Sequence, residues 1–120
     1  MSERPLITTA PHDEIVHVIV QRATLDEQAA LALELSVARA AQESPRAPVV
    51  IDMAKVRFMP SVALGALVTL RKGFHLEGRR LILVGLQRQV RQVIEVTGLD
   101  RLIGLFGTVE DALDDLRSNA

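Results

Sequence analysis

The chain has no cysteine, no tryptophan and no tyrosine. The missing cysteines exclude a disulfide framework, thiolate metal ligands and a thiol nucleophile. Phe58, Phe74 and Phe106 are its only aromatic side chains, too few to stack a run of bases or to line a cofactor pocket with rings. Charge of one sign is lacking as well. Fourteen Lys and Arg against fifteen Asp and Glu leave a net charge of −1, so no global field draws the molecule onto nucleic acid. No apolar run approaches the roughly 20 residues of a membrane span, and Met1 to Arg4 lack the apolar stretch of a signal peptide. The expectation is a cytoplasmic protein with no cofactor, no metal, no nucleic-acid partner and no direct membrane insertion.

What is present is a globular composition, 48% hydrophobic and 24% charged over 120 residues. A chain of that length buries about two thirds of its surface around one core, which predicts a single domain over 1–120 with its core at about 5–117. Leu6 to Thr9 and Ile15 to Val20, separated by the turn cluster Pro11-His12-Asp13, read as a hairpin. Leu25, Ala29, Leu33, Val37 and Ala40 then recur at helical spacing, with Thr24 as the expected N-cap. A second apolar row, Leu31, Leu35 and Ala38, either widens the buried face of this helix or meets a partner.

Val49 to Met53 and Leu81 to Val84 are apolar without alternation, the pattern of strands covered on both faces of a parallel sheet. Between them Ala63, Leu67, Leu70 and Phe74 mark a helix over Ser61 to Glu77, stopped by Gly78. A third helix is expected over Gln87 to Thr97, capped by a left-handed Gly98 with Leu99 packing back. Leu102 to Phe106 reads as a short strand, and Thr108 caps a last helix with Ala112, Leu113 and Leu116 inward. The fold class is α/β, a sandwich with a small, mixed, mostly parallel sheet and about four helices.

Such folds carry functional groups at the carboxyl ends of their strands, which directs attention to Asp52, to Ser61 opening the helix beyond it, and to Leu25-Asp26. Catalysis has little to stand on. His12, His17 and His75 have neither metal-site spacing nor a route to Ser61 as its base, Asp111, Asp114 and Asp115 suit the solvated side of a terminal helix, and Gly104 and Gly107 make no phosphate loop.

The order of residues is more telling: Val49-Val50-Ile51-Asp52-Met53, then Val56 to Gly65 containing Met59-Pro60-Ser61, then Gly78-Arg79-Arg80 leading into Leu81, then Thr97-Gly98-Leu99. Over about Ile15 to Leu116 this resembles the STAS domain of bacterial anti-sigma factor antagonists. The resemblance implies a non-enzymatic binding module whose partner is an anti-sigma factor of the serine kinase type. It also implies phosphorylation of the Ser in an Asp-Ser-x-Gly segment, a position held here by Ser61, with Pro60 in place of Asp and Ala63 in place of Gly. The family's turn after the second strand reads Ala23-Thr24-Leu25-Asp26, keeping Leu25-Asp26 and losing a Gly. The implied partner face is Leu25, Asp26, Ser61, Val62, Ala63 and Leu64. Two readings of Ser61 follow, a phosphoswitch or a plain helix N-cap, and with the latter goes a STAS-like adaptor, for instance the small partner of a transport ATPase. The oligomeric state is left open.

Overall fold

The structure, a computed structural model, describes residues 5–119. Strands β1 (Ile7–Ala10) and β2 (Val16–Val20) pair antiparallel, Ile7 opposite Val20. Strands β3 (Val49–Asp52), β4 (Leu81–Val84) and β5 (Gly104–Phe106) add in chain order, each parallel to its neighbour, to give a five-stranded sheet ordered β1-β2-β3-β4-β5. The helices are α1 (Glu27–Ala41), α2 (Ser61–Leu76), α3 (Arg88–Val96) and α4 (Val109–Ser118), with a 3-10 turn at Leu99–Arg101.

A sheet that grows in one direction through right-handed crossovers carries all its crossover helices on the same face. Accordingly Leu33 and Val37 of α1, Leu67 and Leu70 of α2, and Val90 and Ile94 of α3 share one core with Val18, Val20, Ile51 and Leu83. The opposite face is covered by α4, whose Ala112 and Leu113 pack with Ile15, Val50, Ile82 and Val84. Cover on both sides explains why β4 is buried at every position and β3 at all but Asp52.

Glycine matters at the helix ends. Gly78 (φ +73) lets the chain leave α2 in a Schellman motif, in which the Gly78 N–H donates to the His75 carbonyl and the Arg79 N–H to Phe74. Gly98 (φ +76) turns the chain after α3 so that Leu99 is buried, as the sequence predicts.

Three expectations are corrected. The N-cap of α1 is Asp26, whose Oδ1 accepts the Ala29 N–H at 2.9 Å, because Thr24 is held in a bridge to Phe58 outside the helix. The row Leu31, Leu35 and Ala38 does not widen the core. Leu31 and Leu35 lie about 200° round α1 from the buried Ala29 and Leu33 respectively, and they are 61% and 62% exposed. The last strand begins at Gly104 instead of Leu102, since the 3-10 turn carries the chain until Ile103 drops into the core.

Candidate functional site

The carboxyl ends of β2 and β3 lead into two loops that are stitched together. Thr24 and Phe58 form a parallel bridge, the Arg57 N–H donates to the Ala23 carbonyl at 2.7 Å, and the Leu25 N–H donates to the Phe58 carbonyl at 3.1 Å. Beneath them Leu25, Met53, Val56 and Met59 are buried, so the loop pair rests on the core instead of hanging in solvent. The third loop joins through side chains: Gln87 Nε2 donates to the Ala54 carbonyl at 2.8 Å and Gln89 Nε2 to Arg57 at 3.2 Å. Lys55 Nζ donates to Gln21 Oε1. These bonds bring the first turns of α1 and α2 to one end of the sheet.

Asp52 has a local task there. Its Oδ1 accepts the Ala54 N–H at 2.9 Å, forming the turn after β3, and it lies against Gly85, where an added Cβ would come within 3.3 Å of it. That approach, together with φ +71, requires glycine at position 85.

Pro60 fixes where α2 begins. It stands at the N-cap in extended conformation (φ −68, ψ 168), and no side chain caps the helix. Ser61 is therefore the first helical residue, exposed, with its hydroxyl free of a capping bond. This corrects the plain N-cap reading of Ser61, because Pro60 has taken the cap position one residue earlier. Amides of a first turn have no partner within the helix and carry the positive end of its dipole, so an anionic group on Ser61 would sit in a favourable field.

The residues of the implied partner face divide by burial. Asp26, Ser61 and Val62 are exposed and Leu64 is half-buried, whereas Leu25 and Ala63 have no exposed surface. Leu25 and Ala63 are accordingly corrected from contact residues to supports, the first because its chain position faces inward beneath the bridge and the second because it lies on the core stripe with Ala66, Leu67 and Leu70. The sequence reading also missed Phe58, which is 60% exposed on the stitched loop three positions before Ser61; Val62, one position after Ser61, is 42% exposed. The signal was available: one of only three aromatic residues stands in a turn, where burial is difficult. Lys55 and Arg57 are exposed on the same loop.

Among the described residues no set of three or more His, Asp or Glu is arranged to hold a metal ion. The histidines are scattered. His12 Nδ1 accepts the Glu14 N–H at 3.0 Å in the hairpin turn, His17 lies within β2, and His75 is exposed late in α2. No helix among the described residues is long and apolar enough to cross a membrane.

Comparison with known proteins settles the fold family, since the STAS domain profile matches residues 7–112. The chain belongs to the STAS domain family. An anti-sigma factor antagonist from Mycobacterium paratuberculosis is 32% identical, with 98% of this chain covering 99% of that one and a TM-score of 0.78. SpoIIAA, solved in its unphosphorylated form, is 20% identical over 93% of this chain and 96% of that one, with a TM-score of 0.76. The Bacillus SpoIIAA is also solved in a phosphorylated form. A Thermotoga maritima protein described as a candidate anti-sigma factor antagonist is 28% identical over 65 residues, 54% of this chain. The chain spans only 58% and 61% of the length of the two curated Thermotoga relatives it matches. The STAS domain here thus has the fold of anti-sigma factor antagonists.

Proposed function

We propose that this STAS domain is an anti-sigma factor antagonist that binds an anti-sigma factor of the serine kinase type, frees a sigma factor, and is switched off by phosphorylation of Ser61. One observation carries the reading: Ser61 is an exposed hydroxyl at the first position of α2 with no capping bond, on a stretch of chain whose Phe58 and Val62 are also exposed. A phosphate there carries a charge of about −1.5 to −2, is stabilised by the helix start, and leaves the core untouched. The same charge in the middle of an apolar contact must be desolvated on docking, so the partner leaves while the fold stays. Asp26, Val62 and Leu64 complete the contact face. Support by likeness comes from SpoIIAA, a protein of the same fold that is known in both forms.

A second reading has its own observation. Pro60 has replaced the carboxylate of the family's segment, which favours an adaptor without a phosphoswitch, such as the small subunit beside a transport ATPase. Ala63 does not favour it, because its methyl group is inside the core and leaves the outer surface unobstructed.

The test is to purify the native protein with its bound partner, and to measure the affinity of the parent, Ser61→Ala and Ser61→Asp proteins for that partner, with and without ATP. The switch predicts that Ser61→Ala binds as tightly as the parent and takes up no phosphate, and that Ser61→Asp binds at least tenfold more weakly. Three equal affinities and an unphosphorylated parent would leave a STAS adaptor and end the switch.

A further inference from the structure

The three loops that meet at the carboxyl end of the sheet are joined in two different ways. Backbone hydrogen bonds, which do not depend on side-chain identity, stitch the β2–α1 loop to the β3–α2 loop. The loop from β4 to α3 is tied to the β3–α2 loop by the side chains of two glutamines. Gln87 stands at the N-cap of α3 (φ −67, ψ 153), yet its side chain makes no bond to its own helix. The residues preferred at an N-cap are Ser, Thr, Asp and Asn, which satisfy a free amide of the first turn; Asp26 does so for α1 and Thr108 for α4. At α3 the position serves a different part of the chain.

Gln87 Nε2 donates to the Ala54 carbonyl at 2.8 Å. Gln89 Nε2 donates both to the Arg57 carbonyl at 3.2 Å and to Gln87 Oε1 at 3.1 Å, so it reaches the loop itself and also orients the first amide. The helix that carries this pair is fixed, since Val90 and Ile94 are buried and Leu86 packs against the same core. The segment it holds is less well anchored. Ala54, Lys55, Arg57 and Phe58 are exposed, and over residues 54–58 only Val56 is buried. That segment leads directly to Pro60 and Ser61.

We propose that Gln87 and Gln89 are positioning residues for the partner face: from α3 they hold the β3–α2 loop in one arrangement, so that a partner meets Phe58 and Ser61 already in place. This rests on the reading that the partner docks on the stretch from Phe58 to Val62. A surface ordered before docking loses less conformational freedom on binding. Loosening the loop therefore costs affinity although no contact residue is removed.

Gln87→Glu and Gln89→Glu keep the shape of each side chain and remove only the donor, since a carboxylate at neutral pH accepts hydrogen bonds but cannot donate them. The new charge lies at the start of α3, where the helix dipole favours it, so a role in α3 alone predicts an unchanged or steadier protein. Positioning predicts a looser loop. Amide exchange in the free chain reads the difference at the Arg57 and Phe58 N–H groups, both bonded to the Ala23 carbonyl, and at the Leu25 N–H, bonded to Phe58. These should exchange about fivefold faster for each glutamine replaced, while amides within β3, β4 and α3 keep the parent's rates. Gln87→Met and Gln89→Met, which remove the donors without adding charge, should quicken the same amides. The double Glu variant should bind the co-purified partner several-fold more weakly, as the competent loop becomes only a fraction of the ensemble. The proposal is overturned if the three loop amides of the double variant exchange as in the parent, if they quicken only together with those of β3 and β4, or if the loosened variant binds as tightly as the parent. Equal affinities among the Ser61 proteins would end the switch and leave the loop result standing; an unresponsive loop would end this inference and leave the switch standing.

Discussion

Replacing Arg79 should cost this small domain a large part of its stability, even though arginine is a residue type seldom found in a core. The side chain reaches from the start of β4 under the loop joining α1 to β3, and bonds two carbonyls of that loop, Ser44 and Ala47. Each charge-assisted bond is worth about 1.5–3 kcal/mol net, and the stacking on Phe74 adds about 1 kcal/mol. Against this stands the desolvation of the guanidinium, which removal relieves. The exposed Ser44 carbonyl can also regain water, whereas the half-buried Ala47 cannot do so fully. For Arg79→Met, which keeps the apolar stem, the balance is a loss of about 3 kcal/mol, a large fraction of the 5–15 kcal/mol typical of a domain. Arg79→Lys keeps the charge but not the fork, and should lose about half as much. Urea unfolding measures both, and amide exchange should quicken at Ala47, whose N–H donates to Ser44 inside the tethered loop. A Met variant within 0.5 kcal/mol of the parent, or a Lys variant as unstable as the Met variant, would refute the assignment of this stability to the paired carbonyl bonds.

Leu67 is fully buried on α2, so Leu67→Ala should destabilise by about 2–5 kcal/mol in the same urea assay, through lost burial and a residual cavity. Asp26→Ala should lose about 1 kcal/mol with the N-cap of α1 while Asp26→Asn, which can still accept the Ala29 N–H, stays within a few tenths; if only binding and not stability separates the two, the carboxylate belongs to the partner face alone. The Arg117 hydrogen bond and charge hold the exposed Glu14 carboxyl below its ordinary 4.5. That pair's small contribution is present above the ordinary value and fades as pH falls through the lowered one, so Arg117→Gln should flatten the acid limb of a stability-against-pH curve and leave neutral pH nearly unchanged. Gly85→Ala combines a strained φ with a contact on Asp52, and should destabilise by about 1–3 kcal/mol, read as a lower melting temperature.

The strands and helices were readable because their signals are local. Unbroken apolar runs at Val49 to Ile51 and Leu81 to Val84 can be buried only when both faces are covered, and helical spacing through Leu67, Leu70 and Phe74 has one inward face. What the sequence could not show were matters decided by tertiary contacts. Thr24 and Asp26 are both good caps, and the choice between them was made by the bridge from Thr24 to Phe58, 34 positions away. Leu31 and Leu35 have the spacing of a core row, yet the breadth of an apolar stripe on a helix depends on how much of the helix its neighbours cover. Leu25 entered the partner face through the family's Leu-Asp turn, although it is buried where Asp26 is exposed. Arg79 stood in a Gly-Arg-Arg pair with nothing local to say which arginine would be buried.

The division between buried and exposed residues at the start of α2 bears on how, under the proposed switch, one hydroxyl would control binding without endangering the fold. Ala63, Ala66 and Leu67 face the sheet, so the helix is anchored from its third residue onward, and Pro60 in extended conformation holds the chain just ahead of it. Ser61 lies between these two constraints with no side-chain hydrogen bond to lose. A modification there changes the surface charge but meets neither core packing nor a cap. Phe58 and Val62, already exposed, would supply the apolar contact that the proposed charge disrupts. The stitched loops keep Phe58 in place by backbone hydrogen bonds from Arg57 and Leu25 that do not involve Ser61, so under the proposed switch the surface would persist in either state of the serine and only its compatibility with a partner would change.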